Sequence, residues 1–399
     1  MLRAATFIAL FFLGSMAGPA CLAQELADTK SASRNDLSEM IGQMIMVGFE
    51  GGTTDDADFR KILEKAHKGR ITGVLYLQRN IVDRRSVRAM NKALQHSARH
   101  PFLIAIDQEG GAIQRVPEKA GFPRVPSARS VAHKTSPREA YETYGGLASY
   151  LSKWGFNLNL GPVADLDINP DNPVIGRLGR SFSADPSTVV QYSAAFVESH
   201  REHGVLTALK HFPGHGSSRR DSHDGWADVT ETSKPAEIEV FRKLITEGYA
   251  DLVMSGHIYD AKFRTGTRKL PASLEPGVIR DLLRKELGYR GAVISDDLQM
   301  AAIADQFSLK DAVVSAVLAG NDILVFGNSK SVDPEIDTKV TAILKAAAAK
   351  DVAVQKAIAS AYRRVLKLKS RLPAAGNVDP ISARPIGGVS VPDQGLTAP

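Results

Sequence analysis

The stretch KHFPGHGSSRRDSHDG, Lys210 to Gly225, places three histidines (His211, His215, His223), two aspartates (Asp221, Asp224) and three glycines (Gly214, Gly216, Gly225) within sixteen residues. Imidazole beside carboxylate is the pairing that proton transfer near neutral pH requires, because the carboxylate orients the ring, fixes its tautomer and raises its pKa. Asp221 and His223 are two positions apart, so an extended backbone sets both on one face, where they can act together as a general acid/base. Pro213 and the glycines forbid a regular helix from Phe212 to Gly216, so His211 and His215 are not the one-face pair of a helical zinc motif. A folded-back loop still leaves open a metal site built from His211, His215, Asp221 and His223. Gly214 and Gly216 are expected to let the backbone turn closely past a ligand. Glycines, serines and the paired Arg219 and Arg220 offer little to bury, so the loop is expected to move.

A second stretch, GAVISDDLQM (291–300), ends an apolar run in two carboxylates. A carboxylate at the end of a buried strand is held rigidly, as a nucleophile must be. Asp296 comes directly after the run and suits that role; the lesser alternative is a cap of the next helix. Asp297 suits an anchor for the following turn.

The elements that must position these residues recur along the chain. Short apolar, β-rich runs lie at 43–49, 71–77, 102–107, 156–165, 205–212, 251–257, 291–297 and 322–327. Between them, helical spacing covers 137–153, 186–203, 235–248, 275–287 and 308–319, with caps such as Ser136-Pro137 and Asp185-Pro186. Eight such alternations predict an α/β fold, a single closed (β/α)8 barrel; an open doubly wound sheet would want a GxGxxG after its first strand, and none is present. In a barrel the active site lies at the C-terminal strand ends, and here these carry Asp107 and Glu109, Asp165, Lys210 and His211, His257, and Asp296 with Asp297. Solubility alone can end one strand in a charge, but five in one chain point to chemistry.

Arg3, the apolar run from Ala4 to Leu13 and the small residues before Gln24 read as a secretory signal peptide covering 1–23. A linker is expected over 24–36, the catalytic barrel over 37–370 and a disordered, Pro/Gly/Ala-rich tail over 371–399. The chain is therefore expected to be exported to the periplasm or beyond; anchoring by acylation of Cys21 is the weaker option, since GPAC lacks the aliphatic residue usual three positions earlier. Cleavage after Ala23 would leave no cysteine, so the core must hold the mature protein without disulfides. Losing Arg3 takes the formal charge from +6 to +5, and no dense Lys/Arg run implies nucleic acid. No later run approaches 18 apolar residues, so no membrane span is expected.

AIDQEGG…QR (105–115), GRSF (179–182), KHFPGHG (210–216) with DSH (221–223), and ISDDLQM (294–300) together resemble the single-domain β-N-acetylglucosaminidases of glycoside hydrolase family 3, the kind that acts on peptidoglycan fragments. The similarity runs from about residue 37 to about 330. It implies a retaining, two-step hydrolysis without a cofactor or metal, on an N-acetylglucosamine-containing saccharide. Asp296 matches the nucleophile, His223 the acid/base and Asp221 its partner. Asp107, Arg115, Arg180, Lys210 and His211 match positions that hold the sugar, as carboxylates paired with hydroxyls and cations paired with sugar oxygens would do. Ala112 stands where the family often has arginine, and relatives of this type in Gram-negative bacteria commonly lack an export signal. Two other readings compete: a barrel that binds wall sugars without cleaving them, and a metal-dependent hydrolase using His211, His215 and His223. Glu109 is the reserve candidate for the acid/base.

Overall fold

A computed structural model describes residues 34–222 and 225–373. Eight strands, β1 (Ile45–Gly48), β2 (Gly73–Tyr76), β3 (Leu103–Ile106), β4 (Leu158–Asn159), β5 (Leu206–Phe212), β6 (Leu252–Ser255), β7 (Ala292–Asp297) and β8 (Ile323–Phe326), close into a barrel in which every neighbouring pair is parallel. Each lies within one of the eight runs read from the sequence. Alternating side chains divide the core in two. Met46, Leu75, Leu103, Ala105, Leu158, Leu206, Ala208, Met254, Ile294 and Val325 fill the barrel, while Val47, Val74, Ile104, Leu209, Val253 and Val293 belong to the shell packed against the helices.

Several helices start where a side chain supplies a missing acceptor. Ser136 accepts from the Glu139 N–H while Glu139 returns to the Ser136 N–H, Pro137 opens the helix Pro137–Trp154, and Gly155 ends it in the left-handed region. Asp185 accepts from Thr188 N–H at 2.8 Å and opens Pro186–Glu202. The helix Gly277–Glu286 runs with wide, i→i+5 spacing, as in the Leu287 N–H donating to the Leu282 carbonyl at 2.9 Å. At the bottom of the barrel, the helix Val352–Lys369 contributes Val365 and Leu368 to the interior. Lys369, buried there and bonded to Gln43 Oε1 at 2.7 Å, has its pKa pushed down to about 7 by burial. No helix among the described residues is long and apolar enough to cross a membrane. The signal-peptide region, nearly all of the expected tail, His223 and Asp224 lie outside the described residues.

Candidate active site

On one side of the mouth, the ends of β3 and β5 and the segment after β4 bring five charges together. Lys210, near the end of β5, donates through Nζ to Asp107 Oδ1 at 2.8 Å and Glu109 Oε1 at 2.7 Å. Arg180 grips Glu109 with two parallel bonds, Nε to Oε2 and Nη2 to Oε1, both 2.8 Å, and donates through Nη1 to the Val174 carbonyl at 3.0 Å. Arg115 approaches Asp107 Oδ2 at 3.9 Å. Burial alone would raise the Glu109 pKa, but Arg180 and Lys210 outweigh it and hold the carboxyl well below the ordinary range. Glu109 therefore stays ionised and is unsuited to give up a proton, which corrects its standing as the reserve acid/base. Asp107 is the more open of the two carboxylates, its side chain 16% exposed against 7% for Glu109. Gly110 and Gly111, at φ +99° and +59°, form the left-handed turn after these carboxylates that leads into Ile113–Gln114.

The loop after β5 is pinned from beneath by Asp165. Its Oδ1 accepts from the backbone N–H of His211 (3.1 Å) and of His215 (2.7 Å), and its Oδ2 bonds His211 Nδ1 at 2.7 Å. Burial opposes ionisation of Asp165, yet the neighbouring His211 reverses that and lowers its pKa. Asn172 donates to the carbonyls of His215 and Gly216, and Glu237 accepts from Ser217 N–H. Residues 213–218 are buried; among the described residues of 213–222, only Arg219 and Arg220 are exposed. The expectation that this loop has little to bury is thus overturned for its first half. The role expected of the glycines changes too. A Cβ at Gly214 would meet Glu237 Cβ at 2.6 Å, and one at Gly216 would meet the Leu166 carbonyl at 1.8 Å. They admit the protein's own scaffold rather than a ligand. Burial, then the adjacent His211 ring, push the His215 pKa down to about 4, so His215 is neutral at physiological pH. Its Nε2 lies 3.2 Å from Ser222 Oγ.

Asp165→Asn turns the group facing His211 Nδ1 into a donor and favours the opposite tautomer. A fall in kcat/KM on the order of tenfold to a hundredfold, ~1.4–2.7 kcal/mol, is expected. Nitrogen NMR of the His211 ring should show the tautomer change; an unchanged tautomer together with unchanged kinetics would count against this positioning role.

Across the mouth, β7 ends in Asp296 and Asp297, both only partly buried overall. Asp296 Oδ1 accepts from the Asp297 N–H at 2.8 Å. Asp297 turns the other way: its Oδ1 accepts from Gln299 N–H at 3.0 Å and Gly327 N–H at 2.9 Å, and burial raises its pKa. A Cβ at Gly327 would meet Asp297 Oδ2 at 2.4 Å, so only glycine lets the carboxylate sit there. Asp297 is therefore the anchor of the turn. His257, after β6, reaches the Asp297 carbonyl through Nε2 at 2.9 Å.

The structure thus gathers Asp107, Arg115, Arg180 and Lys210 on the β3–β5 side and seats His211 on Asp165. Arg180 and Lys210 are almost fully enclosed and largely spent on Glu109 and Asp107, so much of their work is to hold those carboxylates. Asp221 is half-buried in the loop after β5, and His223 lies outside the described residues. Among the described residues, no group of three His, Cys, Asp or Glu side chains is placed to hold a metal ion. Sequence reasoning missed Asn172 and Glu237 as loop anchors, and saw Asp165 only as a charge at a strand end.

Fold and site together define a (β/α)8-barrel enzyme with its ionisable groups at the C-terminal strand ends. Residues 36–368 match the glycosyl hydrolase family 3 N-terminal domain; the chain belongs to that family and is a glycoside hydrolase. It is 33% identical over 281 residues to a β-hexosaminidase of Photobacterium profundum, covering 69% of this chain and 79% of that protein. It is 35% identical over 286 residues to a β-hexosaminidase of Vibrio cholerae, covering 70% of this chain and 81% of that one. A solved family 3 β-N-acetylglucosaminidase from a Paenibacillus species aligns with a TM-score of 0.76 at 30% identity, over 90% of this chain. This chain spans 65% of that longer protein.

Proposed function

We propose that the protein is an exo-acting, retaining β-N-acetylglucosaminidase that releases terminal β-linked N-acetylglucosamine from peptidoglycan fragments or related oligosaccharides. The β-hexosaminidase names of its relatives support the substrate class. The observation that carries the reading is geometric: β3 and β7 stand diametrically opposite in the barrel order, which sets Asp107 and Asp296 at strand ends on opposite sides of the mouth.

In the proposed reaction, Asp107 and Lys210 hold sugar hydroxyls on one side while an oxygen of Asp296 attacks the anomeric carbon from the other. His223, oriented by Asp221, gives its proton to the departing oxygen as the glycosidic bond breaks. The same imidazole then takes a proton from water, which attacks the anomeric carbon, frees Asp296 and returns the β-anomer. A histidine replaces the second carboxylate usual in such double displacements. We also propose export, with cleavage near Ala23; the N-terminal sequence of the protein purified from its native host tests it.

The intermediate is directly accessible. A fluorinated N-acetylglucosaminyl fluoride, which forms the glycosyl-enzyme faster than it is hydrolysed, is expected to label the peptide carrying Asp296. Label on Asp297, or an α-anomer as first product by proton NMR, would remove the assignment.

A further inference from the structure

Beside the mouth, the loops after β5, β6 and β7 meet in a cluster that the bond-breaking groups do not use. Ala227–Asp228 pairs in parallel with Ile258–Tyr259, Ala227 opposite Ile258. That register brings Trp226 level with His257, whose ring touches the carbonyl of Asp297. The Trp226 and Tyr259 rings lie 5.3 Å apart with a 34° tilt, and Trp226 is only half-buried.

From this strand end, residues 261–270 make an excursion that is pinned at its base and middle. Ala272 N–H returns to the Ile258 carbonyl at 2.7 Å and Ser273 N–H to the Gly256 carbonyl at 3.0 Å. Glu275 Oε1 clamps the middle, accepting from Thr265 N–H at 3.2 Å and Thr265 Oγ1 at 2.6 Å. The excursion carries Lys262, Arg264, Arg268 and Lys269, all exposed, and no acidic residue. Among the described residues, none of these four cations makes an ion pair of 4.0 Å or less. Two of them are seated on rings instead: the Arg268 guanidinium lies 5.4 Å from the centroid of Phe307, in the loop after β7, and the Lys269 ammonium 5.5 Å from that of Tyr259. A cation on an aromatic face keeps its full charge, sheds part of its water and gives up little freedom on meeting an anion. A half-exposed indole beside it offers a flat apolar face of the kind that packs against a sugar ring.

We propose that this rim is the aglycone subsite, and that it selects an aglycone bearing a carboxylate: Trp226 packs against the sugar or ring that leaves, while Arg268 and Lys269 take its carboxylate. The inference rests on reading the site as a β-N-acetylglucosaminidase and adds the chemical class of what is released.

The test uses two aryl β-N-acetylglucosaminides whose aglycones differ only in carboxylate against carboxamide. The parent is expected to favour the carboxylate in kcat/KM by about tenfold, ~1.4 kcal/mol, and the preference should weaken with added salt. In the Arg268→Gln/Lys269→Gln double variant the ratio should fall to about one. A ratio near one in the parent, or a preference that survives in the double variant, overturns the proposal while leaving the hydrolase reading intact. A second readout does not depend on turnover. The chain has two tryptophans, and Trp154 is fully buried, so quenching by ligand reports Trp226. If neither glycoside is cleaved, tighter quenching by the carboxylate in the parent, lost in the double variant, supports the subsite and sinks the proposed activity. Equal quenching by both compounds overturns the subsite.

Discussion

Asp296→Asn is expected to abolish turnover of an aryl β-N-acetylglucosaminide while leaving the melting temperature close to that of the parent. The amide keeps an Oδ1 to accept the Asp297 N–H, now bonded at 2.8 Å, so the turn after β7 survives. It has no negative charge with which to form a glycosyl ester, and kcat should fall by roughly 10⁴-fold or more, ~5.5 kcal/mol of lost transition-state stabilisation. Asp297→Asn is the informative partner. Its Oδ1 can still accept from Gln299 and Gly327, and burial already disfavours its charge, so a loss of less than about tenfold is expected. His223→Ala should lower the rate as well, and azide, a nucleophile that needs no general base, should restore turnover and yield the β-glycosyl azide. Equal losses at Asp296 and Asp297, or a fully active Asp296→Asn, would sink the nucleophile assignment.

The barrel was legible because each strand is a short apolar run and several crossover helices announce their start with a side-chain acceptor, a proline or both, as at Ser136-Pro137 and Asp185-Pro186. Burial on both faces makes such strands continuous rather than alternating in hydrophobicity, and the topology of a parallel barrel follows from their number. The charges at strand ends were legible for the same reason, since a charge is confined to the two ends of such a run, the C-terminal one at the mouth and the N-terminal one, as at Asp251 and Asp322, at the bottom. Partnerships were not legible. Glu109 takes its character from Arg180, 71 positions away, and local sequence does not say that two cations will enclose it. Asp165 holds the β5 loop through backbone N–H groups of His211 and His215, donors that every residue type offers and no motif marks. Gly214 and Gly216 looked like ligand-facing glycines because sequence shows permissiveness and not which neighbour exploits it; Glu237 and Leu166 occupy that space.

The enclosed charge network sets the second large effect. Glu109→Ala leaves Arg180 and Lys210, with side chains 7% and 3% exposed, short of their shared carboxylate. Removing one partner of a buried pair costs about 3–5 kcal/mol, since the remaining charges lose compensation but stay buried. The melting temperature should therefore fall by roughly ten degrees. Glu109→Gln preserves shape and isolates the charge, and the pH dependence then identifies the cause. The folded-state pKa of Glu109 is depressed, so its contribution is complete above the unfolded-state value of about 4.3 and is lost as pH falls from there towards the folded-state value. The stability gap between parent and Glu109→Gln should accordingly be constant from pH 5 upward, to the extent that no neighbour titrates, and close as the solution is acidified below about 4. Activity adds a second discriminant. With Glu109 neutral, Lys210 is drawn more fully onto Asp107, which ties up the carboxylate proposed to hold sugar hydroxyls, so KM should rise more than kcat falls. A gap that stays constant through pH 3 would mean that Glu109 acts by packing alone, and a loss confined to kcat would return it to the proton-transfer chemistry from which its ion pairs otherwise remove it.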